Sequence, residues 1–223
     1  MIIDERITAY INSLQGELTP ELLFLEKEAL LNHVPIIKKE TQGILRFLLS
    51  IKQPENILEV GTAIGFSALF MSEYSLDSAR ITTIEKVPMR LVEAEKNLSD
   101  ERFPHRDKIS LRKGEALDSL KELVQKNATF DFVFLDAAKA QYMSFLPEIM
   151  KLLNGGGMLV TDNVLQDGTV LNSRYSITRR DRTIHARMRE YLYTITHAKE
   201  LETVILPVGD GIAISCMNKD QKV

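Results

Sequence analysis

Apolar side chains recur at helical spacing through about the first fifty residues. Ile3, Ile7, Tyr10, Ile11 and Leu14 share one helical stripe. Thr19-Pro20-Glu21 reads as a helix start, with Thr able to cap and Pro suited to the first helical position. Leu22–Leu31 continues that helix, His33-Val34-Pro35 breaks it, and Ile44, Leu45, Leu48 and Leu49 line a third. The pattern changes after Pro54. Ile57-Leu58-Glu59-Val60 is a short apolar run ending in glycine, which predicts a buried strand. Strand-like segments at Arg80–Glu85, Ile109–Arg112, Phe132–Asp136 and Met158–Asp162 then alternate with helix-like ones. The helical candidates are Ser67–Tyr74, Pro88–Leu98, Glu115–Lys126 and Gln141–Leu153.

Such alternation predicts a doubly wound α/β fold: a parallel sheet with helices on both faces and right-handed crossovers. The end departs from it. A basic helix at about Thr178–Ala198 precedes Thr203–Pro207, Gly209-Asp210-Gly211 and Ile212–Met217. This reads as an antiparallel hairpin on a tight Gly-Asp-Gly turn. The expected sheet is therefore seven-stranded and mostly parallel, with one reversed strand near an edge. The chain reads as a single domain over 1–223, with N-terminal helices at 1–52, an α/β core at 53–217 and a frayed tail at 218–223.

Length and composition narrow the class. The chain has 223 residues, 44% hydrophobic and 26% charged, which excludes global disorder. Cys216 is its one cysteine, so an intramolecular disulfide and a cysteine-based zinc site are excluded. Cys216 itself reads as inert core. No apolar run approaches a membrane span, and the N-terminus lacks a signal pattern, so a cytoplasmic protein is expected. The net charge of −3 is uninformative as a total. However, Asn172–Lys199 holds seven Lys/Arg and two acids, which makes it +5 and leaves the remainder at −8. A basic face on an acidic body points to a polyanionic partner.

The candidate chemistry sits where strands end. Glu59-Val60-Gly61-Thr62-Ala63-Ile64-Gly65-Phe66-Ser67 joins the first parallel strand to a helix. Its glycines either admit a ligand close to the backbone or simply make a tight turn. Their G-x-x-x-G spacing is not the dinucleotide pattern. Glu85 ends the second strand, about twenty residues on, where an acid can accept both ribose hydroxyls. Gly114-Glu115-Ala116 would flank a base, or merely start a helix. Phe132–Leu135 ends in Asp136, with Lys139 three positions later, and Leu159–Thr161 ends in Asp162-Asn163. Three convergent hard oxygen ligands suit Mg²⁺ better than zinc, and capped strand ends explain them poorly.

Together these motifs resemble the class I S-adenosylmethionine (SAM)-dependent methyltransferases. The closer resemblance is to the metal-dependent O-methyltransferases of the catechol and caffeoyl-CoA type. Its marks are ILEVGTAIGFSA, TTIEK, FDFVFLDAAKAQY and GGMLVTDNVL. The resemblance implies Asp136, Asp162 and Asn163 as metal ligands, and Lys139 and Asp136 as catalytic residues, with Lys139 as the base. Glu85 would bind ribose, while Glu59, Gly61 and Ser67 would line the methionine and ribose part of the cofactor. Glu115, Ala116 and Asp136 complete the expected cofactor set, and Val34–Glu40 would form a partial lid over it. A homodimer is also implied. Within the family the chain is most similar to the bacterial tRNA 5-hydroxyuridine methyltransferases, through HVPI, KQPENILEVGTAIG, LPVGDGIAIS and the arginine-rich stretch.

In this chemistry a metal lowers the acceptor's pKa and orients it, and a nearby lysine takes the proton. A catechol and a 5-hydroxyuridine both offer vicinal oxygens, so the metal site alone does not choose between them. The basic segment favours a tRNA anticodon loop, with Arg174, Arg179, Arg180 and Arg182 as RNA-binding candidates. A solvated helix face or a dimer interface would explain the same charges. Tyr175 and Tyr191 could stack a base or pack internally. Rival readings are a small-molecule catechol-type methyltransferase, a nicotinamide-dependent oxidoreductase and a non-catalytic RNA-binding module.

Overall fold

The structure is a computed structural model, and it describes residues 4–178 and 181–219. Three helices open the chain: α1 (Glu5–Ser13), α2 (Pro20–Leu31) and α3 (Lys39–Lys52). The alternating part runs β1 (Asn56–Val60), α4 (Phe66–Tyr74), β2 (Arg80–Glu85), α5 (Pro88–Leu98), β3 (Ile109–Lys113), α6 (Ala116–Gln125) and β4 (Phe130–Leu135). It continues through α7 (Tyr142–Leu152) and β5 (Leu153–Thr161) to α8 (Arg182–His197), β6 (Leu201–Leu206) and β7 (Ile212–Met217). The strands form one seven-stranded sheet in the order β3-β2-β1-β4-β5-β7-β6. β7 runs antiparallel to both of its neighbours, and the other strands are parallel to one another. The expected doubly wound, mostly parallel sheet with one reversed strand beside an edge is what the chain adopts.

The strands alternate their side chains between two cores, as a pleated strand must. Leu58, Val60, Val133, Leu135 and Leu159 pack with residues of α6, α7 and α8, among them Tyr142, Ile149 and Tyr191. Ile57, Phe132, Phe134 and Val160 pack on the other face with α2, α3 and α4. Burying each such side chain contributes roughly 1.5–3 kcal/mol. Glu59 and Thr83 occupy this second, apolar face and are fully buried. The order of strands reverses between β1 and β4, and that switch point opens a crevice at the strands' carboxyl ends.

Several local expectations are corrected. Thr19 occupies the N-cap of α2 without a side-chain capping bond, so Pro20 at the first position carries that helix start. The apolar stripe of α1 is not buried within the chain: Ile7, Tyr10, Ile11 and Leu14 are all exposed, and Ile3 lies outside the described residues. β6 ends at Leu206 and β7 begins at Ile212, so the hairpin closes through Pro207–Gly211 rather than a tight turn. The basic helix starts at Arg182, not Thr178. Cys216 is half-buried rather than core. Asn218 is tied to the carbonyls of Glu200 and Lys199 at 2.8 and 2.7 Å, so the tail is held there, while 220–223 lie outside the described residues.

Candidate active site

The crevice is a cleft of about 790 Å³. Val34, Gly61, Glu85, Ala116, Asp136, Lys139, Asp162 and Asn163 all lie on its wall, with Lys38, Arg90, Ile184 and Asp210. Glu59 and Ser67 do not reach the wall; they are buried beneath the glycine loop. Glu115 also stays off it and pairs with Lys86 at 3.2 Å, half exposed.

The glycine loop is fixed by its neighbours. The amides of Gly61 and Thr62 donate to the Ile84 carbonyl at 3.1 and 3.2 Å. Gly61 has φ +109°, and a Cβ there would lie 2.0 Å from the Asp136 carbonyl oxygen. Glycine is therefore needed for backbone packing between β1 and β4, whatever ligand approaches it. Gly65, with φ +88°, caps α4. Glu85 is held as a rigid acceptor. Its Oε2 accepts from the Ala63 amide at 2.9 Å, and its Oε1 accepts from the amides of Lys86 and Val87, each at 2.8 Å.

Beneath this loop, Thr83 donates to Glu59 Oε2, and Thr62 Oγ1 lies 2.5 Å from Thr83 Oγ1. Glu59 Oε1 meets no hydrogen-bond partner among the described residues. Burial pushes the Glu59 carboxyl up to about 7, against the pull of the Ser67 and Thr83 hydroxyls.

The acidic cluster is built by two strand ends. The Asp136 amide donates to the Val60 carbonyl and the Asp162 amide to the Leu135 carbonyl, each at 3.0 Å, so each acid continues the sheet's pairing. Asn163 adopts φ +61°, a left-handed conformation that Asn tolerates better than most residues. Its amide N–H donates to Asp162 Oδ1 at 2.7 Å, and its side-chain nitrogen donates to Asp136 Oδ1 at 3.2 Å. Burial raises the Asp136 carboxyl above its ordinary value, opposed by Asn163, Lys139 and Arg90. Burial, and then the neighbouring Asp136 charge, push Asp162 up to about 7. Two desolvated carboxylates that resist joint ionisation, Asp162 buried and Asp136 half-buried, beside an amide, form a donor set that a hard divalent cation would satisfy. Among the described residues no three His, Cys, Asp or Glu side chains gather as a metal-binding group; here the third donor is an amide.

The basic segment is partly committed to internal structure. Arg187 Nη1 donates to the Ala140 carbonyl at 2.7 Å, Arg189 Nη1 to Val170 at 3.5 Å and Arg182 Nε to Ile177 at 3.3 Å. His185 Nε2 lies 3.1 Å from the Asn172 carbonyl oxygen. α8 thus pins the loops around the cleft. Arg179 and Arg180 lie outside the described residues, as does the side chain of Arg174. Tyr191 is fully buried, which removes it as a base-stacking candidate, whereas Tyr175 is exposed.

Sequence reasoning missed Asp210 and Arg90. The Gly-Asp-Gly segment reads only as a turn, yet Asp210 lines the cleft and takes a 2.6 Å bond from Lys38 Nζ, joining the chain after α2 to the hairpin loop. The usable signal was an acid between two glycines, which a turn alone does not require. Arg90 lies five residues beyond Glu85 in α5, and nothing in the sequence singles it out.

Fold and site together define a doubly wound α/β protein whose cleft at the strands' carboxyl ends brings Glu85 to one wall with Asp136, Asp162 and Asn163. A family model described as O-methyltransferase matches residues 13–218. A catechol O-methyltransferase of Niastella koreensis is 31% identical over 218 residues, covering 96% of this chain and 97% of that protein. A Staphylococcus aureus protein provisionally named caffeoyl-CoA O-methyltransferase superposes with TM-score 0.86 at 29% identity, over 96% of this chain and 100% of that one. A Bacillus cereus O-methyltransferase in complex with SAH has the same fold, with TM-score 0.83 at 23% identity over 96% and 97% of the two chains. The chain belongs to the class I SAM-dependent O-methyltransferase family, with catechol and caffeoyl-CoA enzymes among its relatives. Among the described residues no helix is long and apolar enough to cross a membrane.

Proposed function

We propose that this chain moves a methyl group from SAM to one of two vicinal oxygens on an acceptor held by Mg²⁺ at Asp136, Asp162 and Asn163. The carrying observation is the convergence of those side chains beside Lys139 on one wall of the cleft. The family match, and the SAH complex of the Bacillus cereus protein of the same fold, support SAM as the methyl donor. A cation there would acidify and orient the acceptor hydroxyl. Glu85, preset by three backbone amides, accepts from the ribose hydroxyls. Lys139 Nζ receives the acceptor's proton. Val34, Ala137 and Ile184 give the cleft an apolar part of its wall. Cytoplasmic location belongs to the same proposal, as does a homodimer covering the exposed stripe of α1.

For the acceptor, the names of the relatives support a catechol or caffeoyl-CoA-type small molecule as the first reading. A second reading is 5-hydroxyuridine in a tRNA anticodon loop. One observation favours it: Asn172–Lys199 carries a net +5, and α8 within it presents exposed Arg187 and Arg189 on the helix whose Ile184 lines the cleft. A neutral catechol needs no such charge, whereas the phosphates of tRNA, like those of a CoA ester, use it. The test is transfer of labelled methyl from SAM, with Mg²⁺, to a catechol, to caffeoyl-CoA and to tRNA from cells lacking this protein. Label in the first or second acceptor supports the small-molecule reading. Label in tRNA alone moves the acceptor to RNA, and label in none of them refutes both readings.

A further inference from the structure

Two buried tyrosines stand behind the acidic cluster, and neither serves the chemistry described so far. Tyr142 opens α7 directly after the short turn Lys139–Gln141, and it is fully buried. Its hydroxyl donates to the Asp162 carbonyl at 3.3 Å. Tyr191, on α8, meets the Tyr142 ring edge-on at 5.4 Å between centroids. The Tyr191 hydroxyl lies 2.6 Å from Thr161 Oγ1. Consecutive residues at the end of β5 are thus gripped by a tyrosine pair drawn from two helices.

The peptide between Asp162 and Asn163 is the point of leverage. Its carbonyl faces Tyr142, and its N–H holds the Asp162 carboxylate at 2.7 Å. Its orientation also sets the left-handed Asn163, whose side chain reaches Asp136. A left-handed non-glycine residue is maintained only where its surroundings determine it. A hydrophobic ring would fill the same space as Tyr142 but would leave the Asp162 carbonyl without this donor.

We propose that Tyr142, braced by Tyr191, is a positioning residue that sets the Asp162–Asn163 peptide for cation binding and ties the Lys139 turn to it. This rests on the metal reading above. The test is Mn²⁺ affinity by electron paramagnetic resonance for the wild type, Tyr142→Phe, Tyr191→Phe and Asp162→Ala, with SAH affinity and the unfolding midpoint measured alongside. Tyr142→Phe is expected to bind Mn²⁺ about tenfold more weakly, as loss of an outer partner of a metal ligand does. Its SAH affinity is expected to hold, and raised Mg²⁺ should restore its methyl-transfer rate. Tyr191→Phe should show a smaller loss of the same kind. A lowered unfolding midpoint with unchanged Mn²⁺ affinity in both tyrosine variants would reduce the pair to core packing and overturn the proposal. Wild type binding Mn²⁺ no better than Asp162→Ala would overturn the metal reading itself, and this inference with it.

Discussion

Glu59→Gln should change how stability responds to pH. In the fold the Glu59 carboxyl is pushed from an ordinary 4.5 up to about 7, chiefly by burial on an apolar face of the sheet. The unfolded chain therefore releases this proton near pH 4.5 while the native state retains it to about pH 7. Between those values the native state binds more protons, so raising the pH destabilises it. The full interval corresponds to about 3 kcal/mol. Glutamine keeps the shape and can still accept from Thr83, but it carries no titrating proton. The stability difference between Glu59→Gln and wild type should therefore grow in the variant's favour as pH rises from about 4.5 to 7, then level off. Asp136 and Asp162 act in the same direction in both proteins, so taking the difference removes their share apart from the small part of the Glu59 shift that the Asp136 charge itself supplies. Urea unfolding at half-unit pH steps, in chelator and without cofactor, measures it. Parallel stability profiles for the two proteins would refute the reasoning.

Gly61→Ala should cost at least about 2 kcal/mol, since the new methyl meets the Asp136 carbonyl and the backbone is left-handed there; thermal unfolding reads the cost, and a cost near zero would contradict the tight packing. Lys139→Met should lower kcat by about 10²-fold or more with SAM affinity unchanged; equal losses in binding and turnover would make the residue a ligand anchor instead. Asp162→Asn should stabilise the metal-free protein by roughly 1 kcal/mol or more at pH 8, because a buried charge facing Asp136 is gone. The same variant should lose the wild type's stabilisation by Mg²⁺, which denaturation with and without the ion would show. If tRNA is the acceptor, Arg179→Ala with Arg180→Ala should flatten the salt dependence of tRNA binding, and an unchanged slope would assign those residues another role.

Much of the fold was legible because its signals are local and repeated. The runs at β1, β2, β4 and β5 each end in a glycine or an acid, and α5 begins and ends where its proline and apolar spacing place it. The wall of the cleft was legible for the same reason, since Glu85, Asp136 and Asp162 stand at strand ends that a parallel sheet must bring together. What was not legible depends on contacts far apart in sequence. The requirement for Gly61 comes from the Asp136 backbone, 75 residues on, and the role of Asp210 comes from Lys38. The arginines of α8 looked free as a charge count, yet Arg187 and Arg189 hold loop carbonyls. The α1 stripe was legible as a helix but not as an exposed one, because periodicity does not say what covers a face.

The most direct measurement is the initial rate of methyl transfer from labelled SAM to the acceptor the panel identifies, in Mg²⁺ and in chelator, for wild type and Asp162→Ala. Activity that needs Mg²⁺ in the wild type and is absent from Asp162→Ala, with SAM still bound by both, is the expected result. Equal rates with and without Mg²⁺, or an active Asp162→Ala, would contradict metal-assisted transfer at this cleft.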